Sequence, residues 1–354
     1  MPARRTSDEL LQEALDAVET AGSVSAAARE LGMNRSTFEG RYRNAVTRLE
    51  AGLLKPKEST APIVELPVFP DEDLDTEIIL DHLESSWEKR QLHEDAKRWF
   101  EIRIHSDSAY GLVVVGDPHL GVHCNIRQLR KDVEIMGSTP GLGAINIGDS
   151  ANNWSQRLIH LYADEDISRS TERRLARWFL LDKQSGGAGV PWCVFLHGNH
   201  DTMHSEFATY LKTINVAQIP MLDWRAKFKL VFPSAEIKVD AAHNHKGTSI
   251  YNPLHGQRRA DLWGEDADIF VAGHHHTWAL AQSEREDHSV VCYCRVRGYK
   301  HHDDFALHHG FNEELYGASA RFVIDPKAPP NTRVKPFSDL AEGAEFLTWK
   351  RGRK

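Results

Sequence analysis

The stretch GLVVVGDPHLG, residues 111–121, joins an apolar, β-branched run to a short polar cluster that contains Asp117 and His119. Four later stretches have the same form: GAINIGDSANN, VPWCVFLHGNHD, AEIKVDAAHNHKG and ADIFVAGHHHTW. Short apolar runs bounded by glycine and polar residues predict buried strands. Helical stretches separate several of these runs, notably residues 156–183, so the pattern predicts an α/β sheet.

The polar clusters after these five runs share one set of ligand types. Because ligands of α/β sheets gather at the carboxyl ends of strands, five such clusters can converge on one place. Carboxylate, imidazole and amide oxygen, without thiolate, suit divalent ions such as manganese, iron or zinc. The candidates are, in chain order, Asp117 and His119, then Asp149, then Asn199 and His200, then His243 and His245, then His274, His275 and His276.

The spacing within two clusters carries further information. Asp117 and His119 are two residues apart, which predicts side chains on the same side of an extended turn, so that both reach one ion. His274 and His276 have the same spacing. His275, between them, is expected to point away, and its substitution should have a mild effect.

The order D-x-H, G-D, G-N-H-D, H, G-H-x-H resembles that of the calcineurin-like metallophosphoesterase superfamily. GDPHLG is similar to the first motif of that family, GDSANN to the second, GNHD to the third and GHHH to the last, over roughly residues 111–278. The wider context, including HNHKGTSIYNPLHG, looks like phage and prophage members that carry an N-terminal helix-turn-helix. The resemblance implies an α/β fold, a four-layer α/β sandwich, preceded by a small all-α helix-turn-helix domain.

The resemblance also implies a site for two divalent metal ions. Manganese is favoured, with iron, zinc or nickel as alternatives. His200 would lie beside the scissile phosphate, oriented by Asp201, and would donate a proton or hydrogen bond to the leaving oxygen. Seven residues would be metal ligands: Asp117, His119 and His276 for one ion, Asn199, His243 and His274 for the other, and Asp149 as the bridge.

The fourth motif leaves its ligand open. His243 is favoured because it comes first after the run EIKVDAA and precedes a glycine-containing turn, but His245 and His255 are alternatives. The second motif lacks the arginine or aspartate that often follows its Gly-Asp pair. Asn152 and Asn153 stand there instead, and they either reach the substrate phosphate or cap the next helix.

Two other stretches have alternative interpretations. In GYKHHDDFALHHG the histidines are expected to have surface or structural roles, or else Lys300 or His302 lines the phosphate cleft. Cys292 and Cys294 either seed a metal site or, as we favour, sit on one face of the strand VVCYCRV.

The N-terminal region predicts three short helices over residues 8–50. The stretch AARELGMNRSTFEGRYRNA is similar to small helix-turn-helix modules of phage and bacterial regulators, with Asn34 as N-cap of the third helix. Arg35, Thr37 and Arg41 lie near the start of that helix or off its apolar face, and are therefore candidates for nucleic-acid binding. The alternative is a trihelical packing or dimerisation module that never meets DNA.

The chain is expected to have five parts. They are a helix-turn-helix domain (1–54), a proline-rich linker (55–72), a connecting helix that packs on the following domain (73–108), a metallophosphoesterase domain (109–335) and a C-terminal segment with a basic tail (336–354). The formal net charge is −8, which argues against gross coating of nucleic acid. No run of eighteen apolar residues and no secretory signal are visible, so we expect no membrane partner and a cytoplasmic location, in a bacterium or a phage-infected host.

The sequence supports three functional hypotheses. The first is a dinuclear-metal-dependent phosphoesterase that acts on DNA or another nucleic acid, with the helix-turn-helix as a tether. The second is a small-substrate phosphatase or phosphodiesterase whose N-terminal module mediates assembly. The third is a DNA-binding phage protein with a vestigial phosphoesterase domain, which the complete set of expected ligands disfavours. The sequence leaves the substrate, the metal and the oligomeric state open.

Overall fold

The structure is a computed structural model that describes residues 7–55, 76–301, 310 and 316–353. The chain divides into two compact units, Met1–Ile79 and Leu80–Lys354. Most of the predicted linker lies outside the described residues. So do His302 and the last residue of the basic tail, Lys354.

The first unit contains the three predicted helices, α1 (Ser7–Ala21), α2 (Val24–Glu30) and α3 (Arg35–Glu50). The side chain of Asn34 accepts a hydrogen bond of 3.0 Å from the backbone N–H of Ser36, so it caps α3 as expected. Phe38 is fully buried against small residues, Ala27 and Ala28 among them. Alanines in α2 therefore let the third helix pack close to the other two.

A long helix, α4, spans Thr76–Lys97, and strand β1 (Phe100–Arg103) comes after it. The expectation that this helix packs on the following domain is not met by the described residues, because Leu83, Trp87 and Leu92 are 57%, 61% and 72% exposed. The reason is visible in their spacing. Leu83 and Trp87 are about one turn apart, but Leu92 lies roughly 140° further around the helix axis, so the three do not form one face.

Two six-stranded sheets form the centre of the second unit, as far as this part of the chain is described. Neighbouring strands in sheet 1 are, in order, β1 (Phe100–Arg103), β6 (Arg225–Val231), β7 (Glu236–Ala242), β8 (Ile269–Ala272), β10 (Val290–Arg295) and β9 (Ala279–Glu284). Those in sheet 2 are β12 (Val334–Phe337), β11 (Ser319–Ile324), β2 (Tyr110–Val115), β3 (Leu142–Asn146), β4 (Trp192–His197) and β5 (Met221–Asp223).

Within each sheet, the strands that precede the predicted motifs run parallel to one another. In sheet 2, β2 pairs in parallel with β3, and β3 with β4. In sheet 1, β7 pairs in parallel with β8. The carboxyl ends of the paired strands therefore lie together at one edge of each sheet, which is where the motif loops begin.

The helices of the second unit complete two outer layers. Helices α5 (Ile126–Ser138), α6 (Arg169–Leu180), α8 (Ser205–Ile214) and α10 (Leu340–Gly352) contribute buried side chains to the outer face of sheet 2. The short helix α9 (His255–Ala260) lies beside a smaller cluster on sheet 1. The remaining helical segments are α7 (Asn199–Met203), a 3₁₀ segment (Gln156–Asp164) and a π-type turn (Asp261–Glu265).

The buried side chains show how the layers are joined. Alternate residues of β2 face opposite sides: Leu112 and Val114 enter the core between the two sheets, whereas Val113 and Val115 face the helices. Cys292 and Cys294 both enter the inter-sheet core, which confirms that they share one face of their strand. Helix, sheet, sheet and helix thus form a four-layer α/β sandwich, and the predicted fold class is confirmed.

Membrane-spanning helices are absent from the part of the chain that the structure describes. No helix there combines the length and the apolar character that a membrane crossing requires.

The inter-sheet core generates a test of the packing. Phe228 of β6 is fully buried there and stacks on Phe100 of β1, with ring centroids 5.8 Å apart. Phe228→Ala is expected to lower the free energy of unfolding by about 3–5 kcal/mol in a urea titration, because it removes a ring from a closely packed site. Phe228→Leu, the control, fills most of that volume and should cost much less; equal costs for the two variants would contradict this packing.

Candidate metal centre

The loops after five strands converge on one buried cluster. Asp117 and His119 come after β2, Asp149 after β3, and His243 directly after β7. Asn199 and His200 begin α7 after β4, and His274 and His276 come after β8. Asp117, His119, Asp149 and His243 are each at most 2% exposed. The structure therefore brings all seven predicted metal ligands and His200 to the same region.

The backbone at the cluster adopts the left-handed conformation repeatedly. Asp117 and His119 have φ of 46° and 43°, and Asp149, His274 and His276 have φ of 54°, 70° and 50°. The spacing of Asp117 and His119 predicted an extended turn, and this prediction is wrong, because both residues are left-handed. Left-handed φ is uncommon outside glycine, although aspartate and histidine tolerate it best, and it concentrates at functional sites.

One group of ligand atoms gathers around the Nε2 atom of His243. The Oδ1 atom of Asn199 lies 2.9 Å from it, the Nδ1 atom of His274 lies 3.0 Å away and the Oδ2 atom of Asp149 lies 3.3 Å away. Asp149, His243 and His274 offer ligand atoms that all lie within 4.8 Å of one another. This is the set that the sequence assigned to the second ion.

A second group of ligand atoms shares Asp149 with the first. His119, Asp149 and His200 offer ligand atoms within 4.8 Å of one another, and the His119 Nε2 atom is 3.7 Å from Asp149 Oδ2. The ring of His276 is 5.1 Å from that of His119, centroid to centroid. Asp117 lies beside the first group, with Oδ1 3.6 Å from His243 Nδ1 and Oδ2 accepting from the backbone N–H of His274 at 2.7 Å. Because Asp149 belongs to both groups, its position is the one that a bridging carboxylate needs.

Hydrogen bonds fix which nitrogen of three rings faces the cluster. The Nδ1 atom of His243 donates to the carbonyl of Ile147 at 2.9 Å. That of His200 donates to the carbonyl of Asn152 at 2.6 Å, and that of His119 lies 2.8 Å from the amide oxygen of Asn152. Since these oxygens can only accept, each Nδ1 carries a proton, and Nε2 is the nitrogen that offers a lone pair when the ring is neutral. Histidine ligands of metal ions typically have such an oxygen behind them.

Burial and neighbouring charges set the protonation of these rings. Burial lowers the pKa of His119 well below its ordinary value, that of His274 to about 4 and that of His276 to about 3, so all three are neutral near pH 7. Burial also disfavours charge on His243, but Asp149 and Asp117 outweigh it and raise the pKa of His243 to about 9. In the protein without metal, the protonated ring of His243 is therefore the cation that compensates the charge of the Asp149 and Asp117 carboxylates.

The two carboxyl groups of the cluster respond in opposite directions. Burial raises the pKa of Asp117 to about 7 against the opposing charge of His243, and nearby Asp149 adds to the rise. Burial also disfavours ionised Asp149, but the charges of His243 and His200 outweigh it and hold its pKa well below the usual range. Like charges in a water-excluded site push two carboxyl pKa values apart in this way.

The residues fit divalent metal ions by a test that is independent of the motifs. Three buried atoms at the cluster have no hydrogen-bond partner among the described residues: Asp117 Oδ1, His119 Nε2 and His276 Nδ1. Buried polar atoms are normally paired, and exceptions need an explanation. All three are predicted ligand atoms of the first ion, and a cation at that place would satisfy them.

Asp201 was predicted to orient the ring of His200, but its side chain contacts other groups. Its two carboxylate oxygens accept hydrogen bonds of 2.9 Å from the backbone N–H groups of Ser150 and Gly198. The ring of His200 is held instead by the carbonyl of Asn152. Asp201 is fully buried, and it acts on His200 only through the loops that it joins. The motif spacing places Asp201 next to His200 in sequence, but the first turn of α7 directs its side chain elsewhere.

Asn152 and Asn153, whose roles were left open, have protein partners. The Asn152 side chain bonds to His119 through its oxygen and to Glu165 through its nitrogen. The amide nitrogen of Asn153 donates to the carbonyl of His200 at 2.7 Å, and its oxygen accepts from Arg169 at 3.2 Å. Both amides therefore position histidines of the cluster, and neither caps the following helix.

The alternative histidines are placed elsewhere. His245 is buried with its Nε2 atom 3.3 Å from Asp240, and His255 is exposed at the start of α9. His275 is exposed, and its Nε2 atom lies 3.2 Å from the amide nitrogen of Asn244. The geometry therefore favours His243 as the ligand of the fourth motif.

The first unit carries the residues predicted to contact nucleic acid. Arg35 and Thr37 are exposed in the first turn of α3. Arg41 is partly buried, and its guanidinium lies 3.3 Å from the sulfur of Met33. Their structure is compatible with the predicted role but does not test it.

Two residues at the cluster were not anticipated from the sequence. The guanidinium of Arg295, 2% exposed, donates to the carbonyls of Pro253 and Gly273 and to the side chain of Asn244, so it ties three loops together. Trp224, with φ of 66°, places its ring 5.1 Å from that of His243. The sequence did offer a signal for Arg295, because an arginine interrupts the apolar run VVCYCRV at the carboxyl end of a strand. Nothing in the sequence marks Trp224.

Comparisons with known proteins give only weak likenesses. No family model matches the sequence, and no curated protein matches it. Solved structures that match include Vacuolar Protein Sorting 29 from Cryptosporidium parvum, with 11% identity, a TM-score of 0.33 and coverage of 66% of this chain and 100% of that one. At such TM-scores these likenesses support no conclusion about function.

Two further matches are at the same level. One is a conserved, predicted phosphoesterase from Streptococcus pneumoniae, with 14% identity, a TM-score of 0.30 and coverage of 65% of this chain and 98% of that one. The other is wild-type Vps29 from Entamoeba histolytica complexed with zinc, with 11% identity, a TM-score of 0.31 and coverage of 64% and 97%.

The three consecutive histidines allow a matched test of the metal centre. His276→Ala removes a predicted ligand whose buried Nδ1 atom has no hydrogen-bond partner among the described residues. The purified protein is therefore expected to hold about one divalent ion less, or to bind it about 10- to 100-fold more weakly, by elemental analysis and calorimetry. His275→Ala removes the exposed neighbour and should leave the metal content unchanged. Equal metal loss in both variants would contradict the ligand assignment.

Proposed function

We propose that this chain is a dinuclear-metal-dependent phosphoesterase that hydrolyses phosphate esters of nucleic acid, with helices α1–α3 as a DNA-binding tether. One observation carries the catalytic part: two groups of ligand atoms share the buried carboxylate of Asp149, and three atoms of predicted ligands in the cluster have no hydrogen-bond partner in the part of the chain that the structure describes. The motif order that resembles the metallophosphoesterases supports the same reaction. Two divalent ions held there would neutralise charge on a phosphate and activate a water molecule as the nucleophile.

The residues of the chain that surround this position would orient the phosphate and move one proton. His200 is held from both ends, because its backbone N–H donates to Asp149 at 2.9 Å and its Nδ1 atom donates to Asn152. Its Nε2 atom is the one left to meet the substrate. Burial lowers the pKa of His200, so it would carry a second proton only when a negatively charged phosphate lies beside it. That proton is then available to the leaving oxygen.

A substrate panel tests the proposed reaction. With Mn²⁺ present, the protein is expected to hydrolyse bis-p-nitrophenyl phosphate and to cleave single- or double-stranded DNA, whereas p-nitrophenyl phosphate reports phosphomonoesterase activity. His200→Ala should keep its metal content and lose about 10²- to 10⁴-fold in turnover.

Each outcome of the panel has a separate meaning. Absence of metal-stimulated hydrolysis of every ester would reject the enzyme. Hydrolysis of small esters without cleavage of any nucleic acid would reject the nucleic-acid substrate and favour the small-substrate phosphatase or phosphodiesterase. Loss of metal in His200→Ala would make His200 a ligand, in line with its place in the group with His119 and Asp149.

The proposed tether rests on the first unit alone. Arg35 and Thr37 are exposed at the start of a capped helix, and Arg41 lies nearly two turns further along it. Arginines at such positions bind DNA phosphates, and this binding weakens as salt is raised. A tether of this kind raises the local concentration of a DNA substrate around the second unit.

The tether predicts a salt-dependent effect. The double variant Arg35→Ala/Arg41→Ala should bind duplex DNA more weakly, and the slope of log affinity against log salt should fall by up to about 2. Fluorescence anisotropy at several salt concentrations measures both quantities. Arg130→Ala, which removes an exposed arginine of α5 in the second unit, is the control; an unchanged slope in the double variant would reject the tether.

A further inference from the structure

Lys300 lies beside the cluster but has no role in the reaction described so far. Its backbone forms an isolated antiparallel bridge with Cys124, and its Nζ atom lies 4.8 Å from the centre of the Trp154 ring. That ring in turn contacts the ring of His200 edge-on, with centroids 4.8 Å apart. Trp154 is 4% exposed and its indole N–H donates to Glu165 at 2.9 Å, so it is a fixed support for the lysine stem.

The positive charge of Lys300 acts on three histidines of the cluster. Burial is the largest cause of the lowered pKa values of His119, His200 and His276, and the ammonium of Lys300 lowers all three further. The contacts of the Trp154 ring with Lys300 and with His200 place the ammonium group on the His200 side of the cluster, where the leaving oxygen of a bound ester would meet that ring.

Two arginines near this position have guanidinium groups that are held in fixed places. Arg169 donates to Asn153 and to the carbonyl of Trp154, and its guanidinium packs over the ring of Tyr162 at 4.9 Å. Arg295 is buried and donates to loop carbonyls. The second motif, moreover, carries Asn153 where related motifs often have a charged residue, and the Asn153 amide is engaged with His200 and Arg169. Lys300 is partly exposed and has the flexible stem and three donors that a moving oxyanion requires.

We propose that Lys300 forms an anion subsite that binds a non-bridging oxygen of the substrate phosphate on the His200 side of the cluster. The inference rests on the proposed function, since it places a phosphate at the metal centre. A point charge at this place stabilises a dianionic phosphate more than a monoanionic one. The subsite therefore favours terminal phosphates, in monoesters or at nucleic-acid ends, over internal diesters.

The test compares substitutions at Lys300 with one at a similar lysine. Lys300→Met keeps the stem on Trp154 and removes the charge, whereas Lys300→Arg keeps the charge. Lys238→Met is the matched control, because Lys238, on β7, also lies over a tryptophan ring. Its Nζ atom is 5.9 Å from the centre of the Trp99 ring and 2.9 Å from Asp266. Calorimetry measures the binding of inorganic phosphate to each manganese-loaded protein, and elemental analysis measures its manganese content.

The expected results separate charge from structure. Lys300→Met should bind phosphate about 10- to 100-fold more weakly at unchanged manganese content, and its KM for p-nitrophenyl phosphate should rise more than its KM for bis-p-nitrophenyl phosphate. Lys300→Arg should recover most of the phosphate affinity. Lys238→Met should bind phosphate as the unsubstituted protein does.

Two results would overturn the subsite. They are phosphate affinity within twofold of the unsubstituted protein in Lys300→Met, and an equal loss in Lys238→Met. Either could occur in a protein that hydrolyses esters, so the proposed function would stand. Conversely, a phosphate affinity that depends on Lys300 in a protein that hydrolyses no ester would reject the proposed function and leave the anion subsite in place.

Discussion

The cluster depends on keeping the carboxylate of Asp149 ionised in a place from which water is excluded. Asp149 is 2% exposed, and an isolated buried charge costs several kcal/mol in a protein interior. The backbone N–H of His200 and the rings of His243 and His119 surround its two oxygens at 2.9, 3.3 and 3.7 Å. Each of these groups comes from a different strand, so the sandwich has to bring four loops together before the carboxylate is compensated.

Glycines at the loop junctions make this approach possible. Gly148 has φ of 114°, and a Cβ atom there would lie 2.7 Å from both the backbone nitrogen of Gly198 and the Nδ1 atom of His243. A side chain at Gly273 would similarly meet the Oδ2 atom of Asp117 at 2.3 Å. Both positions come after strands whose apolar residues are locked in the cores. The close packing of the loops is therefore a property of the backbone, and the ligands inherit their positions from it.

Periodicity and the residues at strand ends made much of the fold and of the site predictable from the sequence. The alternation of β2 and the polar residues after five apolar runs were enough to place Asp117, Asp149 and His243 at one edge of the sandwich. The direction of individual side chains and the backbone angles of the loops were not predictable from the sequence. The Asp201 side chain accepts a hydrogen bond from the backbone of Ser150, and His119 has a left-handed backbone whose N–H donates to the Asp149 carbonyl. Neither feature follows from the spacing of the residues. The exposure of α4 escaped prediction for another reason, since apolar residues at approximate helical spacing need not share one face.

The cluster also joins the two sheets. Asp117, Asp149 and Asn199 come after strands of sheet 2, whereas His243, His274 and His276 come after strands of sheet 1. An ion bound by both sets would act as a cross-link between two layers whose shared core consists of apolar side chains. Because such an ion binds the folded chain and not the unfolded one, its binding free energy would add to the stability of the sandwich. The metal supply of the cell would then govern how long the protein survives as well as how fast it works.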